Sequence, residues 1–420
     1  MIKTLILQPG VTLRCFHDNR FKQGCLSFQL IRPMCAKEAA LNALIPAVLL
    51  RGTQSAPDLR AITARLDDLY GAAVGPAVRR VGDYQTTGLY CGFIADRYAM
   101  PGDRVLEPAI EFLGQLLLEP VTENGVFSKD FVRGEKKNLI AAIEAQRNDK
   151  RAYAAAQMLK KMCKKDSFGV PRMGTVSQVR KITPKTAWEH YQKILQESRI
   201  DIFYVGEASP EAVAQALRPL LDKLDRAYIP LPEQTACRPS SPGSYEERME
   251  ISQGKLCIGF VTPITIRDKE FAAMQVLNVL FGGGMTSLLF ANIREKLSLC
   301  YDIGSSYHGA KGILTVSAGI DCDKKETVTE QVLNQLKVCK QGDFTLEQLE
   351  AAKQAVISGL QGVHDSPGAI ESYYATSSLS GLNMDPSQYK AAVAQVTAQQ
   401  VAAAAATVTL HTDYFLKGVQ

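Results

Sequence analysis

The stretch Phe281-Gly282-Gly283-Gly284-Met285-Thr286-Ser287 invites chemistry by its composition. Consecutive glycines expose backbone N–H groups ahead of a helix, a setting that can hold an anion. The loop lacks the Lys that a nucleotide loop needs, so the simpler expectation is a flexible lead into a helix. No phosphate-loop, dinucleotide or nucleophile-elbow motif occurs elsewhere. The five histidines, His17, His190, His308, His364 and His411, never fall within five residues of one another, which removes helical His pairing on a metal. The ten cysteines form no Cys-x-x-Cys. Free, buried thiols in a reducing cytosol are expected, and with them a cytoplasmic protein. A Cys–His nucleophile pair has no local support.

The elements that must position any site read as mixed α and β. Val11 to Pro33 alternates and reads as a hairpin of two strands. Glu38 to Leu50 reads as a helix that Pro46 should kink or end. Ser55 to Leu69 reads as an amphipathic helix, Tyr84 to Ile94 as a strand and Leu106 to Leu118 as a helix. Phe131 to Lys165 is one long helical stretch. Thr183-Pro184 opens another helix, followed by a strand over Arg199 to Val205 and a helix over Pro210 to Leu224. Ala391 to Thr412 carries no charge for 22 residues, but its Gln and Thr content makes a membrane span a poor reading. A soluble Ala-rich helix capped by Thr397 and Gln400 is expected instead.

Ile229 to Gly243 (IPLPEQTACRPSSPG) is rich in Pro and Ser and reads as a linker between 1–228 and 244–420. The two sides resemble each other. Phe127, Lys136, Ile140 and Ile143 parallel Phe344, Lys353, Ile357 and Leu360 at an offset of 217. Ile182-Thr183 parallels Val396-Thr397 at 214, and Asp201 to Gly206 parallels Asp413 to Gly418 at 212. Ordered matches at a slowly drifting offset point to a duplicated domain. The fold class expected is α+β, each half a mostly antiparallel sheet packed against helices.

The segment from Phe281 to Gly319 resembles the C-terminal half of the insulinase-type (M16, inverzincin) peptidases, most specifically in Ile293-Arg-Glu-Lys-Leu-Ser-Leu-Cys-Tyr301. The resemblance extends over nearly the whole chain. It implies that Arg294 and Tyr301, with Gly282, Gly283 and Gly284, bind the peptide backbone beside a zinc ion. A guanidinium and a phenol can donate to carbonyl oxygens that gain charge. The family's other signature is a helical His-x-x-Glu-His, in which the histidines bind zinc and the Glu activates water. Here the matching run is Ala43-Leu-Ile-Pro-Ala-Val-Leu-Leu-Arg-Gly-Thr53. Ala43 and Ala47 stand at the His positions and Pro46 at the general base. Glu135 matches a helical Glu that precedes the distal ligand, and Ala142 falls at that ligand. Glu135 itself reads as part of a solvated, charge-paired helix face.

Alanine has no donor atom and proline cannot ionise, whereas a catalytic zinc takes three protein ligands. The chain is therefore expected to bind no metal and to carry no catalytic residue, with zinc only in a partner. The leading expectation is a non-catalytic subunit of a heteromeric zinc peptidase that lends Arg294 and Tyr301 to the partner's site. The alternative is an inert peptide-binding or scaffold protein without proteolysis, which a stable homodimer would favour. A formal charge of +5 over 420 residues gives no reason to expect nucleic acid.

Overall fold

Alternating apolar residues in the first half of the chain build one sheet. Its strands are β1 (Ile2–Gln8), β2 (Val11–His17), β3 (Gln23–Pro33), β4 (Ala73–Pro76), β5 (Arg79–Val81) and β6 (Tyr84–Ile94). A separate small hairpin pairs β7 (Thr122–Glu123) with β8 (Val126–Phe127), and β9 (Arg199–Gly206) returns to the main sheet. The order is β1-β2-β9-β3-β6-β4, with β5 alongside β6. Every pairing is antiparallel except that of β2 with β9. Leu13, Leu26, Phe28, Leu30, Leu89 and Ile202 point to one face and form a continuous core with apolar residues of the helices Ala39–Leu49, Leu106–Leu118 and Pro184–Glu197. The structure, a computed structural model, describes residues 2–418.

The second unit has its own five-stranded sheet: β10 (Gly243–Met249), β11 (Gly254–Val261), β12 (Asp302–His308), β13 (Ile313–Ile320) and β14 (Thr409–Gly418). Its order, β10-β14-β11-β13-β12, repeats β2-β9-β3-β6-β4 strand for strand. The one parallel pair, β10 with β14, falls where β2 with β9 does. The helices Lys129–Ala145 and Leu346–Gln361 occupy matching places, as do Pro184–Glu197 and Ala398–Ala406. The internal repeat is thus a repeat of topology, and the α+β class holds in both units.

The expected halves, 1–228 and 244–420 about the 229–243 linker, supply most of each unit, but contacts assign two segments the other way. The first unit comprises residues up to Glu144, Arg172–Glu233 and His364–Leu379; the second comprises Ala145–Pro171, Gln234–Val363 and the chain from Ser380 onward. In the first unit, the incoming segment brings Glu371, 1% exposed, onto β3 and β5. Its carboxylate accepts from Ser27 Oγ (2.6 Å), Gln29 Nε2 (2.7 Å) and Arg79 Nη2 (2.8 Å). In the second unit, the helix Lys150–Met162 packs Ala154, Met158 and Met162 against Cys257 and Tyr414 of the sheet.

Several expectations need correction. β2 and β3 are both strands but not a hairpin, because β9 inserts between them; β2 forms its hairpin with β1. The stretch Phe131 to Lys165 is two helices, Lys129–Ala145 and Lys150–Met162, the second capped by Asp149, whose carboxylate accepts from Ala152 N at 3.0 Å. Ser55 to Leu69 shortens to Leu59–Asp68, because Asp58 is the N-cap. Ala391 to Thr412 is not one helix: Pro386–Ala394 ends, Ala398–Ala406 begins at the Thr397–Gln400 capping box, and β14 follows. No helix among the described residues is long and apolar enough to cross a membrane.

Pro46 neither ends nor breaks its helix, which runs on to Leu49. A proline there has no N–H for the carbonyl of Asn42, four residues back. That carbonyl instead accepts from Thr87 Oγ1 of β6 at 2.6 Å, so the buried group stays satisfied.

Candidate functional site

Arg294 lies on a π-helical turn, Phe290–Lys296. The wider turn is closed by Leu297 N donating to Asn292 O at 3.1 Å, and buried Ile293 anchors it. Ser298 then adopts a left-handed φ of 51°, which few non-glycine residues take. It reverses the chain, so Leu299 N reaches Ile293 O at 3.0 Å, and Tyr301 N pairs with Gly319 O of β13 at 2.8 Å. This route brings together two side chains seven residues apart.

Arg294 Nε donates to the carbonyl of Tyr301 at 2.9 Å, and its Nη1 donates to Glu295 Oε1 at 3.0 Å. Its guanidinium carbon sits 4.5 Å from the centroid of the Phe290 ring, one helical turn earlier. The Tyr301 hydroxyl donates to Asp321 Oδ1 at 2.9 Å. That hydrogen bond and the carboxylate's charge raise the phenol's pKa, keeping it protonated as a donor. The pair opens on a cleft of about 410 Å³ lined also by Ser298, Leu299 and Cys300. Tyr301 is 54% exposed, unusual for so large a ring. Burial and Asp302 push the Cys300 thiol up to about 11, which leaves it a poor nucleophile.

The glycines before this turn differ in what they do. Gly282 ends the helix Phe271–Gly282 and is buried; a Cβ there would sit 2.8 Å from Ser305 N and 2.7 Å from Leu289 Cδ1. Gly283 would press a Cβ to 2.7 Å from Val279 Cα, whereas around Gly284 there is open space. Gly283, Gly284, Met285 and Thr286 are exposed, and Ser287 Oγ donates to Gly284 O at 2.6 Å. Close packing accounts for the first two glycines without a ligand. Asp321, Phe290 and Ser298 are the neighbours of the Arg294–Tyr301 pair that sequence reasoning missed. Phe290, four residues before Arg294, carried a helical-spacing signal; Asp321 carried none.

In the first unit, Ala43 and Ala47 lie one helical turn apart on the helix Ala39–Leu49, both half-buried, with Pro46 buried between them. Ala142 is exposed on the helix Lys129–Ala145. These four positions offer three methyl groups and a pyrrolidine ring. That donor set does not fit a zinc ion. Glu135 is not on a solvated face: it is 9% exposed, 3.5 Å from Arg51 Nη1, and accepts from Asn138 Nδ2 at 3.1 Å. Its carboxylate is occupied by Arg51, just past the end of the helix Ala39–Leu49, and by Asn138 on its own helix. Behind the alanines runs a buried polar chain. Asn42 Nδ2 donates to Gln85 Oε1 (2.9 Å), so Asn42 Oδ1 is the acceptor for His190 Nε2–H (2.7 Å).

Two strand-for-strand equivalent α+β units, with an Arg–Tyr cleft in the second, define the class: a chain built like an insulinase-type peptidase. Comparison with known proteins agrees. Residues 181–356 match the family model described as the Peptidase M16 inactive domain. The chain is 28% identical over 98% of its length, and 96% of the relative's, to the probable inactive metalloprotease YmfF of Bacillus subtilis. Its fold matches a conserved protein from Enterococcus faecalis with a TM-score of 0.92 at 24% identity, covering 100% of this chain and 99% of that one. It matches a peptidase M16 inactive domain from Pseudomonas fluorescens with a TM-score of 0.80 at 17% identity, covering 100% and 98%. The chain thus resembles the insulinase-type (M16) peptidases: residues 181–356 match their inactive-domain model, and nearly the whole chain is similar to a relative described as a probable inactive metalloprotease.

Proposed function

We propose that the chain is the non-catalytic subunit of a heteromeric insulinase-type peptidase. It binds peptide substrate and lends Arg294 and Tyr301 to the zinc site of a partner that carries the His-x-x-Glu-His motif. The observation that carries this reading is the cleft itself: a charged guanidinium and an exposed phenol, converging on open space and held by a strained turn. Among the described residues Arg294 Nη2 has no hydrogen-bond partner, which leaves it able to donate to a substrate carbonyl. Tyr301 must exchange Asp321 for the substrate oxygen, so the hydroxyl becomes a donor to developing charge only when peptide is bound. The test mixes the chain with a zinc-motif homologue and follows cleavage of a quenched fluorescent peptide. Arg294→Ala and Tyr301→Phe should each slow cleavage by roughly 10²-fold; unchanged rates refute the reading.

A second reading, an inert peptide-binding or scaffold protein acting as a homodimer, is favoured by one observation. Arg294 Nε and the Tyr301 hydroxyl already have internal acceptors. On that reading the chain changes no partner's rate, and the two variants alter only the stability of the turn.

A further inference from the structure

The linker that joins the halves carries a cysteine, and its sulfur does not face solvent alone. In the second unit, Cys237 Sγ lies 3.5 Å from the sulfur of Cys163, the residue that caps the helix Lys150–Met162. Among the described residues this is the one pair of cysteine sulfurs in contact. Hydrogen bonds from backbone N–H groups hold the linker against this end of the helix. Cys237 N donates to Lys311 O (2.9 Å), Arg238 N to Asp166 Oδ2 (3.0 Å) and Ser240 N to Met162 O (2.8 Å). A disulfide needs sulfurs about 2.05 Å apart, so the two have to close from 3.5 Å.

We propose that Cys163 and Cys237 form a modification site, at which a peroxide joins them in a disulfide that clips the linker to the helix Lys150–Met162. The order of events follows from exposure. Cys163 is fully buried and Cys237 is partly exposed. The hydrogen bond to Cys237 and burial raise the Cys163 thiol's pKa and keep it protonated, Asp166 opposing ionisation and Lys311 favouring it. Cys237 therefore reacts first. Its thiolate attacks one peroxide oxygen, the O–O bond breaks, and the departing hydroxide takes up a proton to become water. The sulfur of Cys163 then attacks the sulfenic sulfur. An S–S bond forms, the S–O bond breaks, and the hydroxyl leaves as water with the Cys163 proton. Two thiols lose two electrons, and the peroxide is reduced to two waters. Lys311 and Asp166, a buried ion pair at 3.1 Å, brace the turn between β12 and β13, whose Lys311 carbonyl accepts from Cys237 N.

The experiment treats the reduced full-length chain with hydrogen peroxide, alkylates it in denaturant, and reads intact mass and peptides by mass spectrometry. Expected are a mass about 2 Da lower before alkylation, loss of two of the ten alkylatable thiols, a peptide linking Cys163 to Cys237, and full reversal by dithiothreitol. Cys163→Ser should stop at a sulfenic acid on Cys237, captured by a dimedone-type probe, and Cys237→Ser should give no linked peptide. The proposal is overturned if wild-type Cys163 stays alkylatable while Cys237 proceeds to sulfinic acid, or if peroxide links other cysteines. Because wild type is read directly, a variant that fails to fold does not rescue the proposal.

Discussion

Acid should weaken the first unit through His190. The ring is 7% exposed, on the helix Pro184–Glu197, and its Nε2–H is committed to Asn42. Burial pulls its pKa from 6.5 down to about 4, with Glu38 opposing and Arg32 and Lys193 reinforcing the fall. In the folded chain the ring stays neutral, whereas in the unfolded chain it takes a proton below pH 6.5. The stability it contributes is therefore complete above pH 6.5 and is lost as pH falls toward 4. At about 1.4 kcal/mol per pH unit, the full loss is roughly 3 kcal/mol. Glu38, whose carboxylate burial would raise but Arg32 and Lys193 hold down at about 2, loses its contribution only below pH 4.5. Between pH 6.5 and 4.5, therefore, Glu38 adds nothing to the slope that His190 produces. Urea denaturation across that interval should show a falling midpoint for the native chain and a nearly flat one for His190→Gln, which stays uncharged and keeps a donor. Equal slopes in the two proteins would refute the reasoning.

Thr87→Val should cost about 1–3 kcal/mol by urea melt, because it orphans the buried Asn42 carbonyl opposite Pro46. Gly282→Ala should lower stability by about 1–3 kcal/mol, from the clash with Ser305 and Leu289, whereas Gly284→Ala should leave the thermal midpoint unchanged. Lys311→Met leaves Asp166 buried without its cation and should cost about 3–5 kcal/mol in the same assay. Replacing Ala43 and Ala47 with His and Pro46 and Ala142 with Glu should create a chain that retains zinc after dialysis, measured by elemental analysis. A metal-free product would show that those four positions do not converge.

Local chemistry was readable where it acts locally. The Thr183–Pro184 and Thr397–Gln400 caps, the strand Tyr84–Ile94 and the helix Leu106–Leu118 stand where short-range pattern places them. Strand partners were not readable, because β9 enters between β2 and β3 from almost two hundred residues away, and nothing within Val11–Pro33 registers that insertion. Pro46 misled for a related reason: its effect depends on Thr87, a distant hydroxyl that meets the orphaned carbonyl. Arg294 and Tyr301 were identifiable only by family resemblance. The π-turn and the left-handed Ser298 that unite them leave no periodic signature.

The crossing of His364–Leu379 into the first unit sets an order of events during synthesis. When the ribosome has released the linker, Ser27, Gln29 and Arg79 are present, but the carboxylate that joins them is still more than a hundred residues from being made. A nascent first half therefore holds an unneutralised Arg79 and unfilled hydrogen bonds on its sheet until Glu371 emerges. Its final closure is post-linker by construction. A gene cut at the linker would yield two fragments, each lacking a helix that its sheet requires.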